Sequence, residues 1–373
     1  MSFCWSQDQI NAFQTTLLTW YDQHKRDLPW RQDHDPYHVW VSEIMLQQTQ
    51  VQTVIPYYLR FMKQFPTVQS LAEADETDLM KAWEGLGYYS RARNLQRAAK
   101  QVVNDYHGHW PETASELQDL SGIGPYTAGA IASIAFNQPV AAVDGNAFRV
   151  FARLLEIDDD IAKPQTRKIF ETVINRLISK ERPGDFNQAI MDLGASYMTA
   201  TNFDSSNSPV KAFNQSYLDG IESKYPVKTK KKRPVPHNYF GLVIRSSKGY
   251  LLEKRPTSGI LPNFWMFPLY DQQALIKEKA DSQAQLIQRL EKQLQADYQL
   301  SIQLHKVAGK TVSHTFTHQK WLITLLEGDL SATADLSYFP GKWIQTTQFP
   351  KMAFSKVQSK MWEAYQNQRL SKK

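Results

Sequence analysis

The stretch YPVKTKKKRPVPH, residues 225–237, divides the chain. Its three prolines and its block of positive charge oppose packed secondary structure, and the hydrophobic pattern differs on its two sides. Residues 8–222 carry apolar side chains at helical spacing; in WVSEIMLQQTQVQTVIPYYLRFMKQF the pattern runs from Val39 to Phe65, broken only by Pro56. Residues 238–347 hold short runs rich in β-branched and aromatic residues, such as NYFGLVIRSS, GYLLEKR, WLITLLEG and GKWIQTT, with one helix expected over 282–297. At 373 residues the chain is too long for one ordinary core. The expected organisation is an all-α domain over 1–225, a basic linker over 226–237, and a smaller α+β domain over 238–373.

Composition narrows the classes further. Five of the positive charges behind the net +6 lie in residues 228–233, KTKKKR, so the rest of the chain is close to neutral. Charge alone therefore argues weakly for a nucleic-acid partner, because a solvated basic tether would produce it. Cys4 is the only cysteine, which excludes an intrachain disulfide and any thiolate cluster. The longest apolar stretch, Thr127 to Phe136, is too short to span a membrane. The opening MSFCWSQDQI lacks the basic start and apolar core of a signal peptide. A cytoplasmic protein is expected.

The segment ELQDLSGIGPYTAGAIASI reads as a helix, a tight Gly-Ile-Gly turn, and a second helix with Pro125 at its first position, where a missing N–H costs least. Such a turn presents unpaired N–H groups and the positive end of a helix dipole to an anion. No lysine follows as a nucleotide-binding loop requires. The pattern resembles the helix-hairpin-helix element, in which Gly122 and Gly124 would lend their N–H groups to a DNA backbone phosphate without reading sequence. A glycine-rich helix corner packed for steric reasons gives the same string. Two carboxylates flank this region. Asp144 precedes Gly145 and a fresh amphipathic stretch, where an N-cap is the simplest role. Glu43 sits among Trp40, Val41, Ile44, Met45 and Leu46, as either a salt-bridged structural residue or a general acid with a raised pKa.

Taken in order, RDLPWRQDHDPYHVWVSEIMLQQTQV (26–51), WEGLGYYSRARNL (83–95), LSGIGPYTAGAIASIAF (120–136), VDGNAFRV (143–150) and FNQAIMDLGA (186–195) resemble the MutY-type adenine DNA glycosylases of the helix-hairpin-helix superfamily. The resemblance covers nearly the whole chain. It implies base-excision repair: removal of adenine mispaired with 8-oxoguanine or guanine, from double-stranded DNA, by a monomer. Glu43 would protonate adenine N7, and Asp144 would stabilise or capture the sugar cation, as paired carboxylates do in glycosidases. Tyr126 and Asn146 would position Asp144 or the nucleophile. The base must leave the helix stack; Trp30, Arg31, Leu46 and Gln188 would surround it, with Gln48 and Tyr88 as wedges in the gap. Bifunctional relatives carry a lysine two residues after the second glycine of the turn. Tyr126 stands there, so base removal without strong strand cleavage is implied.

Most members of this family hold a 4Fe-4S cluster on a C-x6-C-x2-C-x5-C loop. The corresponding positions here are Met198, Ser205, Ser208 and Asn214, which supply no thiolate. No cofactor is expected, and the loop should be packed by Tyr197, Met198, Phe203 and Phe213. Residues 238–365 resemble the Nudix-like domain with which the family inspects the base opposite adenine, but LIQRLEKQLQADYQL lacks the metal-binding core of true Nudix hydrolases. SHTFTHQKW (313–321) resembles the family's Phe-Ser-His loop, with Phe316, Thr317 and His318 as candidates for 8-oxoguanine recognition. A related glycosylase with another target base and a non-catalytic lesion-binding protein remain the alternatives.

Overall fold

A computed structural model describes residues 5–230, 233–278, 281–309 and 311–370. Cys4 and Lys231–Lys232 of the basic stretch lie outside the described residues. The chain forms two compact units that do not follow chain order strictly: Met1–Ala74 with Ser90–Lys230, and Asp75–Tyr89 with Lys231–Lys373.

The first unit is helical. One core gathers Phe13 and Leu17 from helix Gln7–His24, Val150, Phe151 and Leu154 from helix Gly145–Leu155, Phe170 and Ile174 from Thr166–Leu177, and Phe186 and Leu193 from Pro183–Ser196. The three- and four-residue spacing of Ala147, Val150, Phe151 and Leu154 puts them on one buried face. Fully burying each large apolar side chain is worth about 1.5–3 kcal/mol. The helical stretch from Val39 to Phe65 does divide, but not at Pro56. Helices Pro36–Leu46 and Val51–Gln64 meet at Gln47–Gln50, and Pro56 lies inside the second. The break is set by Gln48, whose φ of 58° no helix tolerates.

The end of this unit is bound rather than loose. Val227 accepts the Ile161 N–H at 3.0 Å, and the Thr229 N–H donates to Asp160 Oδ1 at 3.1 Å.

The second unit carries one mixed sheet. Its strands are β1 Val235–Ser246, β2 Gly249–Lys254, β3 Trp265–Met266, β4 Leu269–Asp271, β5 His305–Lys306, β6 Val312–Thr315, β7 Gln319–Asp329 and β8 Gly341–Ile344. The main path runs β3-β2-β1-β7-β5, with β1 and β7 parallel from Val235 opposite Gln319 to Arg245 opposite Asp329. β1 thus starts inside the stretch read as linker. Alternation sends Phe240, Leu242 and Ile244 to one face, covered by Leu286, Leu290 and Leu294 of helix Gln283–Tyr298. Val243 faces the other side, with Val357, Met361 and Tyr365 of helix Lys356–Leu370. Gly241 is required there, since a Cβ would lie 2.9 Å from Ile323 Cγ2.

Candidate active site

Glu43 reaches its position on a helix that is apolar nearly all round. Helix Pro36–Leu46 starts cleanly, with Asp35 accepting the Tyr37 N–H at 2.8 Å and Pro36 at its first position. It buries Val39, Trp40, Val41, Ile44 and Met45, and Glu43 among them is 6% exposed. Burial pushes the Glu43 carboxyl up to about 7, the Tyr126 hydroxyl opposes this by donating to Oε2, nearby Asp144 raises it further, and Arg31 lowers it. At neutral pH this carboxyl is therefore part protonated, the state a general acid needs.

Tyr126 comes from the glycine turn. Helix Pro125–Ala135 starts at Gly124 with no side-chain cap. The hydroxyl lies 4.0 Å from Met191 Sδ, which brings helix Pro183–Ser196 alongside. Burial and the charges of Glu43 and Asp144 hold the phenol well above its usual range, so it stays a donor.

Asp144 takes the N-cap position and lies close enough to Glu43 for their charges to interact. It is the N-cap of helix Gly145–Leu155, accepting the Ala147 N–H at 2.7 Å through Oδ1, while Oδ2 accepts from Asn146 Nδ2 at 2.6 Å. Burial raises its pKa, and these two donors and the Arg149 guanidinium pull it back. Arg149, which the sequence did not single out, fixes this corner. It donates to Asn146 Oδ1 at 2.5 Å, Gly145 O at 2.9 Å, Gly194 O at 3.2 Å and Met198 O at 3.1 Å. Gly194 lets the two helices meet, because a Cβ there would come within 2.6 Å of Asn146 Cβ.

The residues expected around the base are brought in unequally. Arg31 is held by buried Asp192 at 2.7 and 3.1 Å, and Arg26 Nε reaches the same carboxylate at 2.8 Å. Burial works most strongly against the Arg31 charge, but the Asp192 bonds and the charges of Asp192, Tyr21 and Glu43 together outweigh it and its pKa rises. Leu46 is one turn beyond Glu43 and Gln188 one turn before Met191, so each shares a helix face with the acid site. Trp30 is buried with its ring 5.3 Å from Tyr58. Asp192 appeared in the FNQAIMDLGA stretch without a role; its signal is an acidic residue set among Ile190, Met191 and Leu193, matched by two arginines far away in sequence.

Both expected wedge residues have left-handed backbone. Gln48 is exposed at φ 58°, and the carbonyls before it, Ile44, Met45 and Gln47, all accept from Arg91 Nη1 at 2.5, 3.1 and 2.8 Å. Tyr88, in the second unit, is 48% exposed at φ 47°. In the hairpin turn Gly122 has φ 79°, and a Cβ on it would lie 2.6 Å from Asn94 Cβ, while Gly124 is exposed and Ile123 anchors the turn in the core.

The four positions that correspond to cluster ligands are all buried. They do not fit an iron–sulfur cluster, since a thioether, two hydroxyls and an amide replace the thiolates. Ser205 donates to Glu222, and Asn214 Nδ2 donates to Ser205 Oγ and Glu222 Oε1, each at 3.1 Å. Asn214 Oδ1 accepts from Ser216 Oγ at 3.0 Å, and Ser208 Oγ faces the Val210 N–H at 3.4 Å. Packing is supplied by Met198 and Val210 in the core with Tyr197 and Phe213 against it, and Phe203 lies under the Arg153 guanidinium at 4.6 Å. Val210 and the polar net were missed, because hydroxyl and amide residues in a loop carry no pattern that announces burial.

In the second unit, Phe316–His318 form the turn between β6 and β7. The Phe316 N–H closes the turn on Gln319 O at 2.7 Å, its ring packs on Trp321 at 4.8 Å, and Thr317 and His318 are exposed.

Two buried carboxyls, one of them an N-cap, share one helical frame with the glycine hairpin. Residues 41–176 match the family model described as HhH-GPD superfamily base excision DNA repair protein, and residues 239–364 match the NUDIX domain model. The chain belongs to the adenine DNA glycosylase family. It is 35% identical to the adenine DNA glycosylase of Mus musculus, spanning 96% of this chain and 79% of that protein. It is also 35% identical to the Homo sapiens enzyme, over 96% of this chain and 75% of that protein. Among solved structures, a thermostable thymine-DNA glycosylase aligns with TM-score 0.51 and 26% identity, over 57% of this chain and 98% of that one. An endonuclease III–DNA complex at 20% identity and TM-score 0.50, over 58% of this chain and 99% of that one, shares the fold. Among the described residues, no helix is long and apolar enough to cross a membrane.

Proposed function

We propose that this protein is a monofunctional adenine DNA glycosylase that removes adenine opposite 8-oxoguanine or, more weakly, guanine in double-stranded DNA. The observation that carries the reading is a buried Glu43, raised to about 7 and held by Tyr126 beside Asp144. Protonated Glu43 gives its proton to adenine N7, the C1′–N9 bond breaks, and adenine leaves with the bonding pair. The Asp144 carboxylate offsets the positive sugar or bonds to C1′, until water attacks C1′ and returns a proton to Glu43. Asn146 holds Asp144; Trp30, Arg31, Leu46 and Gln188 receive the flipped base; Gln48 and Tyr88 fill the gap. Gly122 and Gly124 take a phosphate, and Phe316, Thr317 and His318 inspect the opposite base.

The same reading makes the enzyme independent of any metal or cluster, with the Ser205–Asn214–Glu222 net supporting the loop that a cluster supports in relatives. It places the enzyme in the cytoplasm as a monomer. The likeness to a thymine-DNA glycosylase covers 57% of this chain, so a thymine substrate belongs in the test. Purified full chain is incubated with duplexes carrying A:8-oxoguanine, A:G, A:T or T:G, and base release is read by alkaline cleavage. Release of adenine in the order 8-oxoguanine, guanine, thymine is expected. Release of thymine from T:G, or binding without release, replaces this reading with the alternative it favours.

A further inference from the structure

We infer that Tyr89 and Phe264 form a brace through which the second unit sets the position of Tyr88. The inference rests on the wedge role proposed for Tyr88. Segment Trp83–Tyr89, WEGLGYY, turns sharply, with Gly85 at φ 100°, Gly87 at φ 71° and Tyr88 at φ 47°. A tyrosine in left-handed backbone is costly and persists only where its surroundings over-determine it. Those surroundings come from far along the chain. The Tyr89 ring packs on Phe264 at 4.4 Å between centroids, and its hydroxyl donates to Phe354 O at 3.4 Å. Glu84 Oε1 accepts the Phe354 N–H at 3.1 Å, and Lys81 Nζ donates to Met352 O at 3.1 Å. On the other side of Tyr88, Trp83 Nε1 donates to Gly87 O at 3.1 Å. Tyr88 is thus pinned on both sides.

The Phe264 side of the brace is itself under constraint. Phe264 ends a loop in which Gly259, Leu261 and Asn263 all have positive φ, closed by the Arg255 N–H on Phe264 O at 2.8 Å and the Asn263 N–H on Pro256 O at 3.1 Å. Two strained loops therefore meet through one aromatic pair, and Tyr88, the exposed aromatic beside it, takes its place from that pair. Phe264 and Tyr89 are positioning residues: neither needs to touch the DNA. Since the lesion-reading turn belongs to the same unit as this brace, the brace should govern preference for the opposite base more than the chemistry.

The test is a double-mutant cycle in the full chain. Phe264→Ala, Tyr88→Ala and the double variant are compared with the parent in single-turnover adenine release from A:8-oxoguanine and A:G duplexes, with melting curves for each. Phe264→Leu, which keeps an apolar side chain and removes the ring, carries the test if Phe264→Ala does not fold. Loss of the ring should lower release from A:8-oxoguanine about two- to tenfold, the worth of an aromatic pair, and shrink the preference over A:G. In the Tyr88→Ala background the same substitution should change nothing further. Effects that multiply in the double variant, or an equal loss on both mispairs, overturn the brace. A parent that releases adenine selectively while those results appear sinks the brace alone; a parent that releases none sinks the functional reading with it.

Discussion

Replacing Glu43 with glutamine separates catalysis from stability, because the two should move in opposite directions. The folded protein holds this carboxyl at about 7 against an ordinary value of 4.5, chiefly by burial. A carboxyl whose folded pKa is raised weakens the fold as it ionises: the penalty is absent below about 4.5, grows as pH rises, and is complete above about 7. That interval corresponds to about 3 kcal/mol. Glutamine keeps the shape, still accepts from the Tyr126 hydroxyl, and cannot ionise. Glu43→Gln should therefore bind duplex DNA, release no adenine, and melt several degrees above the parent at pH 8, since each kcal/mol moves the midpoint by about 2–4 °C in a domain of this size. The margin should close as the pH falls toward 5. Calorimetry across pH 5–8.5, paired with single-turnover base release, reads both effects. A variant that melts no higher than the parent at pH 8, or by the same margin at pH 5, refutes the account of a destabilised buried acid. Retained base release removes Glu43 from the acid role.

Asp144→Asn keeps an N-cap able to accept the Ala147 N–H but loses the negative charge, so the helix should stay intact by circular dichroism while base release disappears; surviving activity would make Asp144 a cap only. Asn214→Ala removes the amide that donates to buried Ser205 and half-buried Glu222 and accepts from buried Ser216, and should lower the melting temperature by an amount equivalent to about 1–3 kcal/mol, whereas iron and acid-labile sulfide should be absent from freshly purified parent; stoichiometric iron contradicts the cluster-free reading. Thr317→Ala, at an exposed turn, should leave melting unchanged and reduce the preference for A:8-oxoguanine over A:G; an unchanged preference takes Thr317 out of lesion recognition.

What the sequence made legible followed from period and punctuation. The switch from helical spacing to alternation separates the helical and sheet-bearing parts, and the helix expected over 282–297 forms as Gln283–Tyr298, with Ser282 as its cap. Glu43 in apolar company and Asp144 before Gly145 mark the two carboxylates. Residues that act through distant partners left no such trace. Asp192 finds Arg26 and Arg31 across more than 160 positions, and Arg91 caps a helix that ended nearly fifty residues earlier. The break at Gln48 was misplaced to Pro56 because proline is the stronger local signal, whereas the true break depends on the Arg91 guanidinium collecting three carbonyls. Packing of 75–89 with the second unit is likewise a property of Phe264 and Phe354, not of the segment's own pattern.

The pH dependence of single-turnover adenine release from an A:8-oxoguanine duplex tests the central claim most directly. If protonated Glu43 is the acid, the rate should fall as the pH rises through about 7 and approach a tenfold loss per unit beyond it. A rate that stays level from pH 6 to 9 would mean that the proton for adenine comes from somewhere other than Glu43.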